Sequence, residues 1–229
     1  MENIDKIYVL VHPKYEKERF TRLQHHLASV GLPNDKISYG AATWGSELSS
    51  SIIFTVWDPF LRPGVPNLTW KSRCLSKGEI SLVMNFFAAI THAIEQNYKN
   101  IIIFESDVYL RDDFIPRLND LWTDLSGDWD FVSLGEGIGT RPNQVLSSYW
   151  SPTRSYKPPH DFVFRCTDSM LFRVEFLRKI IKTLLPFREC LDWELNYQIA
   201  LHKGKAFWAD PPLAEQGSSR CREPSLLPA

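Results

Sequence analysis

Ile101 Ile102 Ile103 Phe104 Glu105 Ser106 Asp107 is the stretch whose reading decides the fold. Four residues in a row are apolar, where a half-exposed strand would alternate, so the run reads as a central strand covered on both faces. It stops abruptly in two acids. Upstream, Ser76 with Glu79 three residues later forms a capping box, and Ile80, Val83, Met84, Phe87, Ile90 and Ile94 line one face of the helix it starts. The turn Asn97 to Asn100 leads from that helix into the strand. Further upstream, Lys6 to Val11 is apolar and β-branched, and Phe20, Leu23, Leu27 and Val30 recur at helical spacing until Gly31. Ile37 to Ala41 supplies a second strand. The opening is therefore a βαβ unit, which predicts an α/β fold with a mostly parallel sheet flanked by helices.

Downstream the alternation continues. A helix is expected from Asp113 with Phe114, Leu118, Leu121, Trp122 and Leu125 inward. Phe131 to Leu134 reads as a strand, Phe162 to Arg165 and Met170 to Arg173 as short strands, and Val174 to Leu185 as a helix ended by Pro186. A last helix over Asp192 to His202 precedes a strand at Ala206 to Ala209. Residues 136 to 160 lack periodicity and suggest a substrate-side loop. Ile52 to Trp57 has strand character, amid proline-rich sequence that favours no regular element. No internal repeat or linker divides the 229 residues, so one domain is expected over 1–229.

Several classes are disfavoured by composition. Net charge is -1, from 26 basic and 27 acidic side chains, so no global field draws the chain to nucleic acid or anionic lipid. The start lacks a signal-peptide pattern and no apolar run approaches the length of a membrane span, which predicts a soluble, cytoplasmic protein. Cys74, Cys166, Cys190 and Cys221 are widely spaced and read as reduced thiols. His25 and His26 read as helix-surface residues.

The chemistry is concentrated at Glu105 and Asp107. Two residues apart at the carboxyl end of a buried strand, they would share one side of an extended chain. Open α/β proteins bind ligands at that end of the sheet. Carboxylates there can approach a diphosphate only through a divalent cation such as Mn²⁺ or Mg²⁺, for which hard oxygen ligands are suited. The same acids would serve equally well as turn residues that end a strand.

The run Leu75 Ser76 Lys77 Gly78 Glu79 Ile80, about twenty helical residues, then Ile102 to Val108, resembles glycosyltransferase family 25, the lipopolysaccharide and procollagen galactosyltransferase group. That family reads Leu Ser, any residue, Gly Glu Ile Gly, and later Leu Glu Asp Asp Val. Further likeness lies in Glu18, Arg19 and Arg22, in Ala41 to Gly45, in Trp129 to Gly135, in Leu191 Asp192 and in Pro212 to Gln216. The likeness runs in matching order from residue 6 to about 219. Ser106 stands where the family has its first Asp, Trp44 where it has Asp, and Asn85 Phe86 where it has Ser His.

The resemblance implies a GT-A fold and a metal-dependent, inverting transfer of sugar from a nucleotide diphosphate, a UDP-sugar first of all, to a glycan or glycoconjugate hydroxyl. It implies a nucleotide-sugar half over about 1–135 and an acceptor half over about 136–229. Asp107 and Glu105 are the expected metal ligands. His12, Pro13, Arg19, Trp44, Ser76, Gly78, Glu79, Glu105 and Ser106 are the expected donor contacts, and an acid restored at 106 is expected to tighten the cation. Asp192 is the expected general base, Glu194 its deputy, with Glu136 and Asp161 next in order. Arg220 and Arg222 are candidates to fold over the diphosphate. The competing readings are a catalytically silent nucleotide-sugar-binding module and a transferase acting on modified DNA bases, the latter disfavoured by the charge balance.

Overall fold

In the computed structural model the described residues are 1–62, 74–125, 127–135, 137, 152–158 and 165–218. In chain order the strands are β1 (Lys6–Leu10), β2 (Ile37–Tyr39), β3 (Asn100–Glu105), β4 (Val108–Leu110), β5 (Phe131–Ser133), β6 (Arg154–Tyr156), β7 (Ser169–Arg173), β8 (Ala206–Asp210) and β9 (Ala214–Gln216). The α-helices are α1 (Lys17–Ser29), α2 (Ser50–Val56), α3 (Lys77–Glu95), α4 (Phe114–Asp124), α5 (Val174–Ile180) and α6 (Leu191–Leu201).

Among the described residues, seven strands form one sheet in the order β2-β1-β3-β7-β5-β8-β6, and β4 pairs with β9 beside it. β1, β2, β3, β5 and β8 run one way while β7 and β6 oppose them. The sheet is mostly parallel in strand direction, as the alternating sequence predicts. Strand β3 lies between β1 and β7, and Ile101 to Phe104 are wholly buried. The pleat sends Ile101 and Ile103 to one face and Ile102 and Phe104 to the other. The first face packs on α2, α3, α5 and α6 through Val83, Phe86, Phe176 and Leu195. The second packs on α1 and α4 through Leu23, Leu27, Phe114 and Leu118.

This layering sets up the site. β1 connects through α1 to β2 on one side, and the chain then returns through α3 to β3 on the other side of β1. The carboxyl ends of β1 and β3 thus flank a topological switch point, where neighbouring connections leave in opposite directions and a crevice opens.

One open segment is assigned and two expectations are corrected. Ile52 to Trp57 is not a strand: Ser49 caps α2 by accepting from the Ile52 amide at 3.3 Å, and Ile53 and Val56 are buried one turn apart. The helix from Val174 stops at Ile180, short of Leu185. The second strand ends at Tyr39 rather than Ala41. The three-residue strands β4, β6 and β9 are additions. The strand expected at Phe162 to Arg165 falls largely outside the described residues, as does most of the loop expected at 136 to 160.

Candidate active site

A cleft of about 340 Å³ opens at the switch point. Its lining includes Leu10 from the end of β1, Trp44 and Gly45, the polar face of α3, and Glu105, Ser106 and Asp107. The strand does not continue through the acids as an extended chain. Ser106 and Asp107 form a turn between β3 and β4, so alternation does not set the two carboxylates, and it is the turn that delivers both to the cleft.

Each residue of the turn is held by a different element. The Glu105 amide donates to the Asp168 carbonyl at 3.0 Å, and the Thr167 hydroxyl donates to Glu105 Oε1. Burial pushes the Glu105 carboxyl well above the usual carboxylate range, reinforced by Asp107 and, beyond it, Asp168 and Asp192, against the opposing Thr167 hydrogen bond. Asp107 is 5% exposed. Its Oδ2 accepts from the Ser218 hydroxyl at 2.5 Å, and its carbonyl accepts from the Gly217 amide at 2.7 Å. A Cβ on Gly217 would lie 2.5 Å from the Tyr109 ring and 2.8 Å from that carbonyl, so this close crossing needs glycine. Ser106 Oγ accepts from Arg19 Nη1 at 2.9 Å.

Around the β1 end, the Glu16 carboxylate accepts from the His12 amide at 2.7 Å and lies 3.8 Å from Arg19. The His12 ring packs on Tyr15 at 4.6 Å and on Trp44 at 5.6 Å, and Tyr15 stacks on Trp44 at 5.1 Å with 19° between planes. Trp44 is the member of this cluster that lines the cleft. Pro13 follows His12 in the loop after β1.

On the opposite wall, the capping box of α3 is present in full. Ser76 Oγ accepts from the Glu79 amide at 3.2 Å, and Glu79 Oε2 accepts from the Ser76 amide at 2.8 Å. Ser76 and Glu79 are thereby committed to the helix end, and Lys77 and Gly78 between them line the cleft.

Asp192 sits in the first turn of α6, is partly exposed, and does not itself line the cleft, though its charge reaches Glu105. Its Oδ1 accepts from the Trp193 amide at 2.9 Å and the Cys190 thiol at 3.2 Å, and its Oδ2 accepts from the Cys166 amide at 3.4 Å. Burial, and then Asp192 itself, push that thiol up, so it stays protonated as a donor. Glu194 is fully buried: Arg62 pairs with Oε2, Gln198 donates to Oε1 at 3.0 Å, and the Arg188 amide donates at 3.0 Å. Its oxygens are taken up in joining α6 to the segment around residue 62, so the geometry ties it to structure. Glu136, Asp161, Arg220 and Arg222 lie outside the described residues.

Sequence reasoning missed Glu16, Tyr15, Thr167, Ser218 and the α3 wall. That wall had a signal: Gly78, Ser81 and Asn85 recur on the face of a helix whose neighbouring positions are apolar. Ser218 had none, because a three-residue strand far along the chain carries it to Asp107.

Among the described residues, no group of three or more His, Cys, Asp and Glu side chains gathers as a metal-holding set. The acidic turn is not a protein-only metal cage. Glu105 Oε2 and Asp107 Oδ1 nevertheless carry no hydrogen bond from the described residues. Two carboxylate oxygens beside an open cleft suit a cation that takes its remaining ligands from water and a bound diphosphate.

No protein-family model matches the chain, and no curated protein matches it in sequence. Among solved structures it is similar to the galactosyltransferase LgtC in complex with donor and acceptor sugar analogues, at 14% identity and TM-score 0.41, over 89% of this chain and 72% of that one. It is also similar to an active-site mutant of LgtC, at 12% identity and TM-score 0.39 with the same coverage. Likeness at this level identifies neither activity nor substrate. Among the described residues, no helix is long and apolar enough to cross a membrane.

Proposed function

We propose that this chain is a GT-A glycosyltransferase that takes sugar from a nucleotide diphosphate, a UDP-sugar in the first instance, and passes it to a hydroxyl of a glycan or glycoconjugate. The observation that carries the reading is the acidic turn Glu105-Ser106-Asp107 lining a crevice at the switch point, with Arg19 reaching into it. An acidic floor beside an arginine suits a diphosphate bridged by a cation. The sequence resemblance to glycosyltransferase family 25 supports the same reading.

Asp107 and Glu105 would hold Mn²⁺ or Mg²⁺, each through the oxygen that the protein leaves without a hydrogen bond. When bound, such an ion supplies charge neutralisation for the departing diphosphate. Arg19, held by Ser106 and Glu16, lines the cleft where it would meet the phosphates. Trp44, backed by Tyr15, offers a planar wall to the nucleobase. Asp192 takes the proton of the acceptor hydroxyl as its oxygen bonds to the anomeric carbon and the bond to the diphosphate breaks. Its partial exposure and the reach of its charge to Glu105 support this role, and the bonds from Trp193, Cys190 and Cys166 orient it. Glu194, with its oxygens occupied, has no catalytic part.

The test separates donor binding from transfer. Asp192→Asn keeps the shape and removes basicity, so transfer should fall by about 10² to 10⁴ with donor affinity nearly unchanged. Transfer at the wild-type rate in a folded variant removes Asp192 from the mechanism.

A further inference from the structure

Helix α1 presents Arg19, Arg22 and His26 at spacings of three and four, one stripe on the helix surface. All three bind the same short segment, the turn that carries the acids and the strand after it. Arg19 donates to Ser106 Oγ at 2.9 Å. Arg22 donates from Nη2 to the Ser106 carbonyl at 2.7 Å and from Nη1 to the Val108 carbonyl at 3.0 Å. His26 Nε2 accepts from the Leu110 amide at 2.8 Å. The Arg22 guanidinium also lies 4.2 Å from the centroid of the Tyr109 ring, and the His26 ring lies 5.8 Å from it.

The two carbonyls that Arg22 holds stand on either side of Asp107 in the chain. The Ser106 carbonyl lies in the peptide plane that enters Asp107 and the Val108 carbonyl in the plane beyond Val108, so the planar fork brackets Asp107 and Val108 between two pinned planes and leaves them little freedom to rotate. On the other flank, Gly217 and Ser218 hold Asp107 through its carbonyl and one carboxylate oxygen. The helix itself is anchored by Leu23 and Leu27, both fully buried against the sheet. Rigidity of the core is thus transmitted through these α1 side chains to the turn, with Arg22 holding the backbone around Asp107.

We propose that Arg22 is a positioning residue for the cation: it presets the backbone on both sides of Asp107, so that the carboxylate meets a metal-bound diphosphate without reorganisation. This rests on the metal-dependent reading of the site given above. Preorganisation of this kind acts on the cation-dependent part of binding and leaves the remaining nucleotide contacts alone. Lysine cannot substitute, since a single ammonium does not reproduce a planar two-carbonyl grip.

The experiment is a calorimetric titration of UDP, with Mn²⁺ and with EDTA, into wild type, Arg22→Lys and Arg22→Met, with melting temperatures recorded in parallel. The readout is the ratio of UDP dissociation constants without and with Mn²⁺. In Arg22→Lys this ratio should fall by about tenfold, the loss expected when a charged donor gives up one buried acceptor, while UDP affinity in EDTA is unchanged. In Arg22→Met the ratio should fall further. Arg22→Lys remains decisive if the methionine variant does not fold. A wild-type ratio in folded Arg22→Lys overturns the proposal, as does an equal loss of UDP affinity with and without Mn²⁺, which marks a merely structural residue. A ratio of one in the wild type itself overturns the metal-dependent reading instead, and the role of Arg22 with it.

Discussion

At the residue scale, the site depends on which partner each atom of the acidic turn has already taken. Ser106 is the instructive case. The family resemblance implies that an acid at this position would stand beside the cation, yet Ser106 Oγ faces Arg19. A carboxylate there would pair with the guanidinium and withdraw it from the phosphates. Ser106→Asp is therefore expected to weaken UDP binding at saturating Mn²⁺ and to leave the apparent affinity for Mn²⁺ unchanged, both readable by calorimetry. Tighter Mn²⁺ binding in the variant would show that residue 106 reaches the cation after all. Glu194 makes the same point. As a second acid in the first turn of α6 it is indistinguishable by type from Asp192, and only its burial with Arg62 and Gln198 separates the two roles.

At the element scale, the cleft is shaped by the approach of the Thr43 to Gly45 segment to the start of α3. Asn85 Oδ1 accepts from the Thr43 amide at 2.8 Å and Asn85 Nδ2 donates to the Thr43 carbonyl at 3.2 Å, so one side chain pairs with that backbone as a strand would. Two residues on, a Cβ at Gly45 would lie 2.8 Å from the Gly78 amide nitrogen and 2.9 Å from Lys77 backbone atoms. Backbone cannot swing aside as a side chain can. Gly45→Ala should therefore destabilise the protein by about 1 to 3 kcal/mol, as overpacking does, and weaken UDP binding by displacing Trp44. Chemical denaturation that gives a wild-type midpoint would contradict the tight approach.

The same scale explains what the sequence discloses. The α3 capping box and the β3 run are read directly because each is strongly periodic or locally capped, and their ends are fixed by residues next to them. Strands β4 and β9 are three residues long and pair across about a hundred positions, Val108 with Gln216. Their only signal is the partner itself. Helix α2 was hidden for another reason, since Ile52, Ile53 and Val56 favour strands by type while the Ser49 cap and the burial of Ile53 and Val56 decide for helix. In the candidate site, the acids and Arg19 were legible from position on the chain. Thr167 and Ser218 were not, because they reach the turn only through tertiary structure.

At the scale of the whole molecule, a partly buried acid in a cleft couples function to stability. Glu105 keeps its proton to higher pH in the folded chain than in the unfolded one, so the folded state binds more protons over that interval. Stability from this group is full below the ordinary glutamate pKa and is lost as pH rises through the raised one. In EDTA, the melting temperature of the wild type should fall relative to that of Glu105→Gln as pH rises above the ordinary glutamate range, because the glutamine amide never ionises. Equal slopes for the two proteins would mean that Glu105 titrates normally. A cation at the turn should oppose the trend by favouring the ionised carboxylate.

That coupling leads to the central claim, that Asp107 and a nucleotide diphosphate hold one divalent cation between them at the switch point. Electron paramagnetic resonance of Mn²⁺ tests it without any assumption about sugar or acceptor. In wild type the free-ion signal should fall little with protein alone and strongly when UDP is added, beyond the loss that UDP causes by itself. In Asp107→Ala that extra loss should vanish while the fold remains. An equal extra loss in the variant, or none in the wild type, would contradict the account.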